Sequence, residues 1–443
     1  MNRGNRLLIG AGCVALLLIS WIITANSESK TDKQARLMTQ AAELMDSGIY
    51  IRAVPLLEEA AAYETAVTSE VETQLKEAYI KLMDQSGFRR KYTELLSKQM
   101  NRNDAPCEVY EEAAEYYLSI SRLTDALAIL STGIGKTGSM SLIDIYEANR
   151  YVYGINRTVY ENVAAAHGST VQVQSGGLWG IANVDGTLLI PCQYEKISTF
   201  SKDRAIVRSG GDVFAIDRDN NRIAILDKEK TAADIGNFAA DRITLLIDGR
   251  WHRATGELIL GAATYDYVGM HSETEGYAAA MLDGKWGVVD ISAKWVVTPE
   301  HDGIIMDELG CAFGQRAVFV RNGGSVTLLV GGEQVGDAYE DARPFGAEGY
   351  AAVKQNGQWG FINNKGEVMI GFDPRIEDAL SFGQHLAAVR IDGLWGYMNI
   401  YGDIVIEPEY LQAKSFSEGS APVRTERGWQ FITLIEYKKG ATL

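Results

Sequence analysis

The chain has 443 residues, with 45 Gly against only 8 Pro, and its 58 acidic and 42 basic residues leave a net charge of −16. That balance excludes a nucleic-acid binder, which needs a basic surface, and four cysteines cannot make a disulfide framework. With 46% apolar and 23% charged residues the chain can bury sizeable cores and is no disordered acidic polymer. At the N-terminus, Arg3 and Arg6 precede an uncharged run from Leu7 to Ala25. As a helix this run would extend about 28 Å, close to the hydrocarbon core of a bilayer, so residues 1–30 read as a transmembrane signal anchor. The basic residues on its short side keep that end in the cytoplasm and put the body outside, as a single-pass protein of the cell membrane. A cleaved signal peptide, with Ala25 and Ser27 as small residues for a peptidase and the body secreted, is the alternative.

Residues 31–165 are poor in Gly and Pro and rich in Ala, Glu, Leu, Tyr and Lys, a helical composition. Gly48 permits a close turn between two helices, and Tyr50, Ala53 and Ala60 follow it at offsets of two, five and twelve. Related groupings recur around Gly87 and around Ser121, Ala126 and Gly133, so the turns at 48, 87 and 121 are 39 and 34 residues apart. The pattern resembles the tetratricopeptide repeat, whose helix pairs put small residues where they touch and an aromatic in the gap. That resemblance implies a TPR-like solenoid with a concave face for a peptide or protein partner; an ordinary amphipathic bundle is the alternative.

Residues 166–443 hold 36 of the 45 glycines and six of the 8 prolines. Here the pairs Trp179-Gly180, Trp286-Gly287, Trp359-Gly360 and Trp395-Gly396 recur, three of them just after Asp283-Gly284, Asn356-Gly357 and Asp392-Gly393. Asp-Gly or Asn-Gly between apolar runs is a strong hairpin signal, because both residues must accept positive φ. Phe214, Trp251, Val326 and Trp429 stand in the tryptophan's place in weaker units. The eight anchors are then 35, 37, 35, 40, 33, 36 and 34 residues apart, and Phe200 and Phe416 each lie twenty-one residues past a tryptophan. The pattern resembles the bacterial WG-repeat family over about the last 265 residues.

Each unit should supply three strands and a short fourth near the phenylalanine, with the glycine giving the indole room to lie flat. Because a lone unit cannot bury its apolar face, neighbours must stack. The incomplete unit at Trp429, pairing with Val171-Gln172-Val173, would close an all-β propeller of about seven blades; an open β-solenoid is the alternative.

No catalytic or metal-binding constellation emerges. The five histidines, at 167, 252, 271, 301 and 385, have no metal-ligand spacing, and His301 and His252 stand at the tyrosine and glycine places of their units. Asp217 to Asn221 resembles a calcium loop but has Arg222 where a glycine and Lys228 where a glutamate is needed. There is no phosphate loop and no nucleophile elbow, and Cys107, Cys192 and Cys311 have no spacing partner. No cofactor is therefore expected and the chain is not read as an enzyme; Trp179, Gly180, Trp251, Trp286, Gly287, Trp359, Gly360, Trp395, Gly396, Trp429, Gly48, Tyr50, Ala53 and Ala60 are structural repeat positions. The expected function is that of a membrane-anchored, extracytoplasmic scaffold binding protein partners through both repeat modules. A carbohydrate- or peptidoglycan-binding envelope protein is the alternative, motivated by the recurring tryptophans and tyrosines, with a hydrolase behind both. Segments 31–165 and 166–443 carry −6 and −12, so neither invites nucleic acid.

Overall fold

The computed structural model describes residues 29–63 and 65–435, in which seven helices are followed by 32 strands. Chain contacts divide it into a helical unit ending at Tyr146 and a β unit beginning at Glu147.

The helices are α1 (Lys30–Asp46), α2 (Tyr50–Ala61), α3 (Thr68–Lys81), α4 (Phe88–Met100), α5 (Cys107–Ser119), α6 (Leu123–Thr137) and α7 (Met140–Asn149). From α1 to α6 each helix packs on the next. The turns leading into α2, α4 and α6 pass through left-handed residues, Gly48 at φ 73°, Gly87 at φ 90° and Ser121 at φ 58°, the conformation that reverses a chain leaving a helix. Ala41, Ala53, Ala60, Ala78, Ala113 and Ala126 are fully buried where helices meet. Gly133 lets α6 come closer still, since a Cβ there would sit 2.7 Å from Tyr110 and 2.8 Å from Leu142. One charge is interred: Glu72, which accepts from Gln99 at 3.0 Å and pairs with Arg102 at 2.6 Å.

The transmembrane helix expected in residues 1–30, and the single-pass extracytoplasmic placement built on it, are not carried forward. Among the described residues no helix is long and apolar enough to cross a membrane; α1 to α7 are amphipathic or short. The apolar run Leu7–Ala25 itself lies outside the described residues.

In the β unit all sheets have four antiparallel strands, and there are eight of them. They form a propeller whose blades I to VII span residues 162–194, 196–225, 232–265, 267–301, 303–339, 341–373 and 378–410. Blade VIII consists of β30 (Gln412–Ala413), β31 (Ser420–Thr425) and β32 (Gly428–Leu434), completed by β1 (Tyr153–Ile155). First strands are innermost, and in blades II and IV to VIII they are only two residues long; fourth strands are outermost and leave Leu188, Ile223, Val296 and Val368 exposed. The ring closes where β2 (Asn162–His167), the first strand of blade I, meets β31 and β32 of blade VIII, and Ser417 Oγ donates to the Gly168 carbonyl at 2.9 Å.

This corrects the expected count of about seven blades and removes the open solenoid. The unit at Trp429 is a full blade, because Tyr153–Ile155 comes from upstream to pair with Ile432–Leu434. Val171–Val173 lies inside blade I instead, within β3 (Thr170–Ser175), and residue 166 falls within β2.

The glycine after the tryptophan also has a different cause from the one expected. The anchor lies on the third strand and pairs directly with the tyrosine ending the fourth, as in Trp179↔Tyr194 and Trp395↔Tyr410. Two residues on, Ile181 pairs with Ile190, so the fourth strand bulges. The bulge drives its backbone against the glycine: a Cβ on Gly180, Gly287 or Gly396 would stand 2.4 Å from a carbonyl oxygen. The space serves the neighbouring main chain, not the indole.

The acidic excess has a repeated use as well. The acid just before the first strand accepts from the turn joining the second and third strands in six blades. Glu161 takes Gly176 and Gly177 N–H at 2.9 and 3.0 Å, Glu195 takes Gly210 at 2.9 Å, and Asp266 takes Gly284 at 3.0 Å. Asp302, Glu340 and Glu377 do the same for Gly323, Gly357 and Gly393.

Candidate functional site

Six residues past the tyrosine that faces the anchor, and three past the end of the next blade's first strand, comes a phenylalanine: Tyr194 to Phe200, Tyr339 to Phe345, Tyr410 to Phe416. The same step from Tyr265 reaches His271, and from His301 it reaches Asp307. These two polar departures mark the places where the ring differs from its own repeat.

Asp307 opens a loop, 307–311, that crosses the middle of the ring. Its carboxylate accepts from Leu309 N–H at 2.9 Å and Cys311 N–H at 2.8 Å. Leu309 is buried in a small cluster with Ala239 and Met270, against which Ala164 and Ala165 pack. Asn237 Nδ2 donates to the Leu309 carbonyl at 3.0 Å, the Gly310 carbonyl accepts from Met270 N–H at 2.9 Å, and Glu308 pairs with Lys414. A loop of blade V thus touches blades I, III, IV and VIII, which only a crossing of the axis allows.

Beside this loop is a cavity of about 450 Å³ lined by Trp179, Trp251, Tyr267, Gln172, Asn237, Lys196, Asp234 and residues Met306 to Gly310. Trp251 and Tyr267 meet edge to face with ring centroids 5.6 Å apart, and Trp286 backs Tyr267 at 5.4 Å. Most of the charges here already have partners: Lys196 holds Asp234 at 2.7 Å and Lys414 holds Glu308. Asp307 is the exception, with no cation bonded to it among the described residues. Enclosure by protein pushes its carboxyl up to about 6, against the pull of the loop amides, although its side chain still opens on the cavity. Burial, then Asp307 and Asp234, also raise the Tyr267 hydroxyl. Burial pushes the nearby Cys311 thiol up to about 12, so it is no nucleophile at neutral pH.

The structure divides the anchors that the sequence treats alike. Trp179 and Trp251 line the cavity. Trp359 and Trp429 are buried, under the Arg343 guanidinium at 4.6 Å and the Lys414 ammonium at 5.2 Å. Trp359 Nε1 also donates to the Glu377 carbonyl of the next blade at 3.0 Å, and Trp395 is half-buried in the core between blades VII and VIII. Gly48, Tyr50, Ala53 and Ala60 form a turn and a helix contact of the helical unit. That unit has its own cavity of about 350 Å³, lined by Tyr110, Tyr117 and Lys136. The carboxylate of Asp217, first residue of the calcium-like segment, is spent on its own turn, accepting from Asp219 and Asn221 N–H. In the sequence His271 counts only as a candidate metal ligand and Asp307 not at all, yet Asp307 lies twenty-one residues past Trp286, the offset that separates Trp179 from Phe200.

Residues 179–211, 254–286, 338–359, 359–395 and 395–429 match the model of the WG containing repeat. All five matches lie in the β unit, and the tetratricopeptide-like resemblance gains no support from them. No curated protein matches the chain. Among solved structures, the crystal structure of the eukaryotic initiation factor is 12% identical, with a TM-score of 0.40 over 58% of this chain and 78% of that one. Hsv2 of Kluyveromyces lactis is 10% identical, TM-score 0.38, over 55% and 94%. PorZ, a surface component of the type-IX secretion system of Porphyromonas gingivalis, is 10% identical, TM-score 0.34, over 61% and 42%.

Proposed function

We propose that this protein is a non-catalytic interaction scaffold that receives a protein partner at the axial cavity of its propeller. The observation that carries the reading is the composition of that cavity: aromatic faces from Trp179, Trp251 and Tyr267 beside carboxylates already engaged by Lys196, Lys414 or loop amides. Aromatic rings with satisfied polar neighbours are what a recognition surface needs, whereas the usual glycosidase needs a pair of carboxyls, one to give a proton and one to act as base or nucleophile. The helical hairpins, with the cavity at Tyr110 and Tyr117, would offer a second surface.

A photo-crosslinking amino acid placed at Glu308, beside the cavity, should capture a discrete protein in living cells. The same probe at Ile223, on the exposed outer strand of blade II, should capture none of it. Equal yields from both positions would remove the axial cavity from the reading. Carbohydrate binding is the second reading, favoured by two tryptophans lining one cavity with Gln172 and Asn237; co-sedimentation with purified cell walls that Trp251→Ala abolishes would establish it in place of the first.

A further inference from the structure

Two positions of the repeat meet across four blade boundaries: the residue two past the anchor, and the phenylalanine position of the next blade. Phe361 and Phe382 touch in this way with ring centroids 4.8 Å apart, as do Tyr397 and Phe416. Ile181 and Leu328 likewise share cores with Phe200 and Phe345.

Between blades III and IV both positions turn polar together, as Arg253 and His271. Arg253 is only 7% exposed and His271 0%. Arg253 Nη1 lies 3.1 Å from His271 Nε2 and donates to the Asp290 carbonyl at 2.6 Å. Among the described residues no carboxylate forms an ion pair with this guanidinium, and its Nε has no partner. Burial, then Arg253 and Arg242, depress the His271 imidazole to about 3, so it is neutral. With Nε2 accepting from Arg253, its proton belongs on Nδ1. Nδ1 is buried and unpartnered, and so is the Tyr265 hydroxyl. The cluster therefore holds two buried N–H donors without an acceptor, at Arg253 Nε and His271 Nδ1, with only the Tyr265 hydroxyl, which can give or take, beside them; two such N–H groups against one oxygen are costly unless something electron-rich completes the set.

Alongside runs a cavity of about 420 Å³ lined by Arg253, Arg242, Thr255 and Ser292 and by no Asp or Glu, the reverse of a chain with charge −16. We infer that this inter-blade cavity binds a small oxyanion, a phosphate group or a carboxylate, on Arg253 with Arg242 at its rim. A planar guanidinium suits either group.

Calorimetric titration of the full chain with sodium phosphate, sodium glutamate and sodium chloride at matched ionic strength tests the site. One oxyanion per chain should bind where chloride does not; phosphate alone would point to a phosphorylated ligand, glutamate alone to an acidic side chain. Arg253→Met should weaken binding by at least about tenfold, near 1.4 kcal/mol, and Arg242→Gln, outside the core, by roughly threefold. His271→Phe restores the residue of the other blades, so it should keep the thermal transition while losing about tenfold in affinity. Binding no stronger than that of chloride, or equal affinity in all three variants, would overturn the inference.

Discussion

At the residue scale, the informative positions are those that break a repeat. Five of the eight phenylalanine positions keep an aromatic; Ala166, His271 and Asp307 do not. Asp307 gives a pH-dependent expectation. Its carboxyl, ordinarily near 3.8, is raised to about 6 by the protein around it. Between those values the folded chain binds more protons at this site than the unfolded chain does. Its contribution to stability is therefore greatest at low pH and is lost as pH rises through that window. Because the side chain opens on the cavity, water screens part of the effect. In carboxyl-labelled protein, the aspartate resonance missing from Asp307→Asn should titrate near pH 6, and the variant should lose stability less steeply between about pH 4 and 6. A midpoint at or below 3.8 would show that the loop amides outweigh enclosure. The spacing that exposes Asp307 was present in the sequence; what it could not convey is that the residue opens a loop across the axis. That depends on the Leu309 carbonyl meeting Asn237, 72 residues away, and on a cluster shared with Ala239 and Met270.

At the element scale, the blade was largely legible and its rationale was not. Trp-Gly pairs and Asp-Gly turns located the second and third strands of most blades. The bulge in the fourth strand left only a fainter mark, a proline at it in three units, Pro191, Pro299 and Pro408, whose meaning the sequence alone did not convey. The bulge makes the glycine's role testable. Gly180→Ala, Gly287→Ala and Gly396→Ala each push a methyl to 2.4 Å from a carbonyl oxygen that the sheet holds in place. Each should cost about 1–3 kcal/mol in urea unfolding. Gly360→Ala should cost less, because its nearest neighbour is the Phe372 ring at 3.0 Å, which can turn aside. Equal losses at all four positions would mean that something other than the bulged backbone requires the glycine. The helical hairpins were legible for a different reason: left-handed turns at Gly48, Gly87 and Ser121 recur at nearly even spacing, and small residues are needed wherever helices touch.

At the scale of the whole molecule, the eight anchors already counted the blades, but among the described residues no fourth strand follows β32 in the last unit. Its missing strand lies upstream, three residues long, in a region with none of the repeat's signals. The closing strand pairs Tyr153–Ile155 with Ile432–Leu434, and it also reaches blade VII, where the Tyr410 hydroxyl donates to the Tyr153 hydroxyl at 2.9 Å across 257 residues and Tyr153 donates onward to Glu409 at 2.8 Å. Such pairing carries no local signature, because β1 is specified by what it covers. Without it, β32 would present an unpaired edge, and Tyr410 would lose its hydroxyl partner. A fragment of residues 147–443 contains every strand of the ring and should unfold in one cooperative transition. A fragment of residues 157–443 keeps all eight anchors yet lacks β1, and its midpoint should fall by on the order of 5–10 °C. It should also self-associate through the open edge, which sedimentation would detect. If both fragments melted alike as monomers, the ring would be held by the packing of blade I on blade VIII alone, and the upstream strand would be an ornament of the fold and not its clasp.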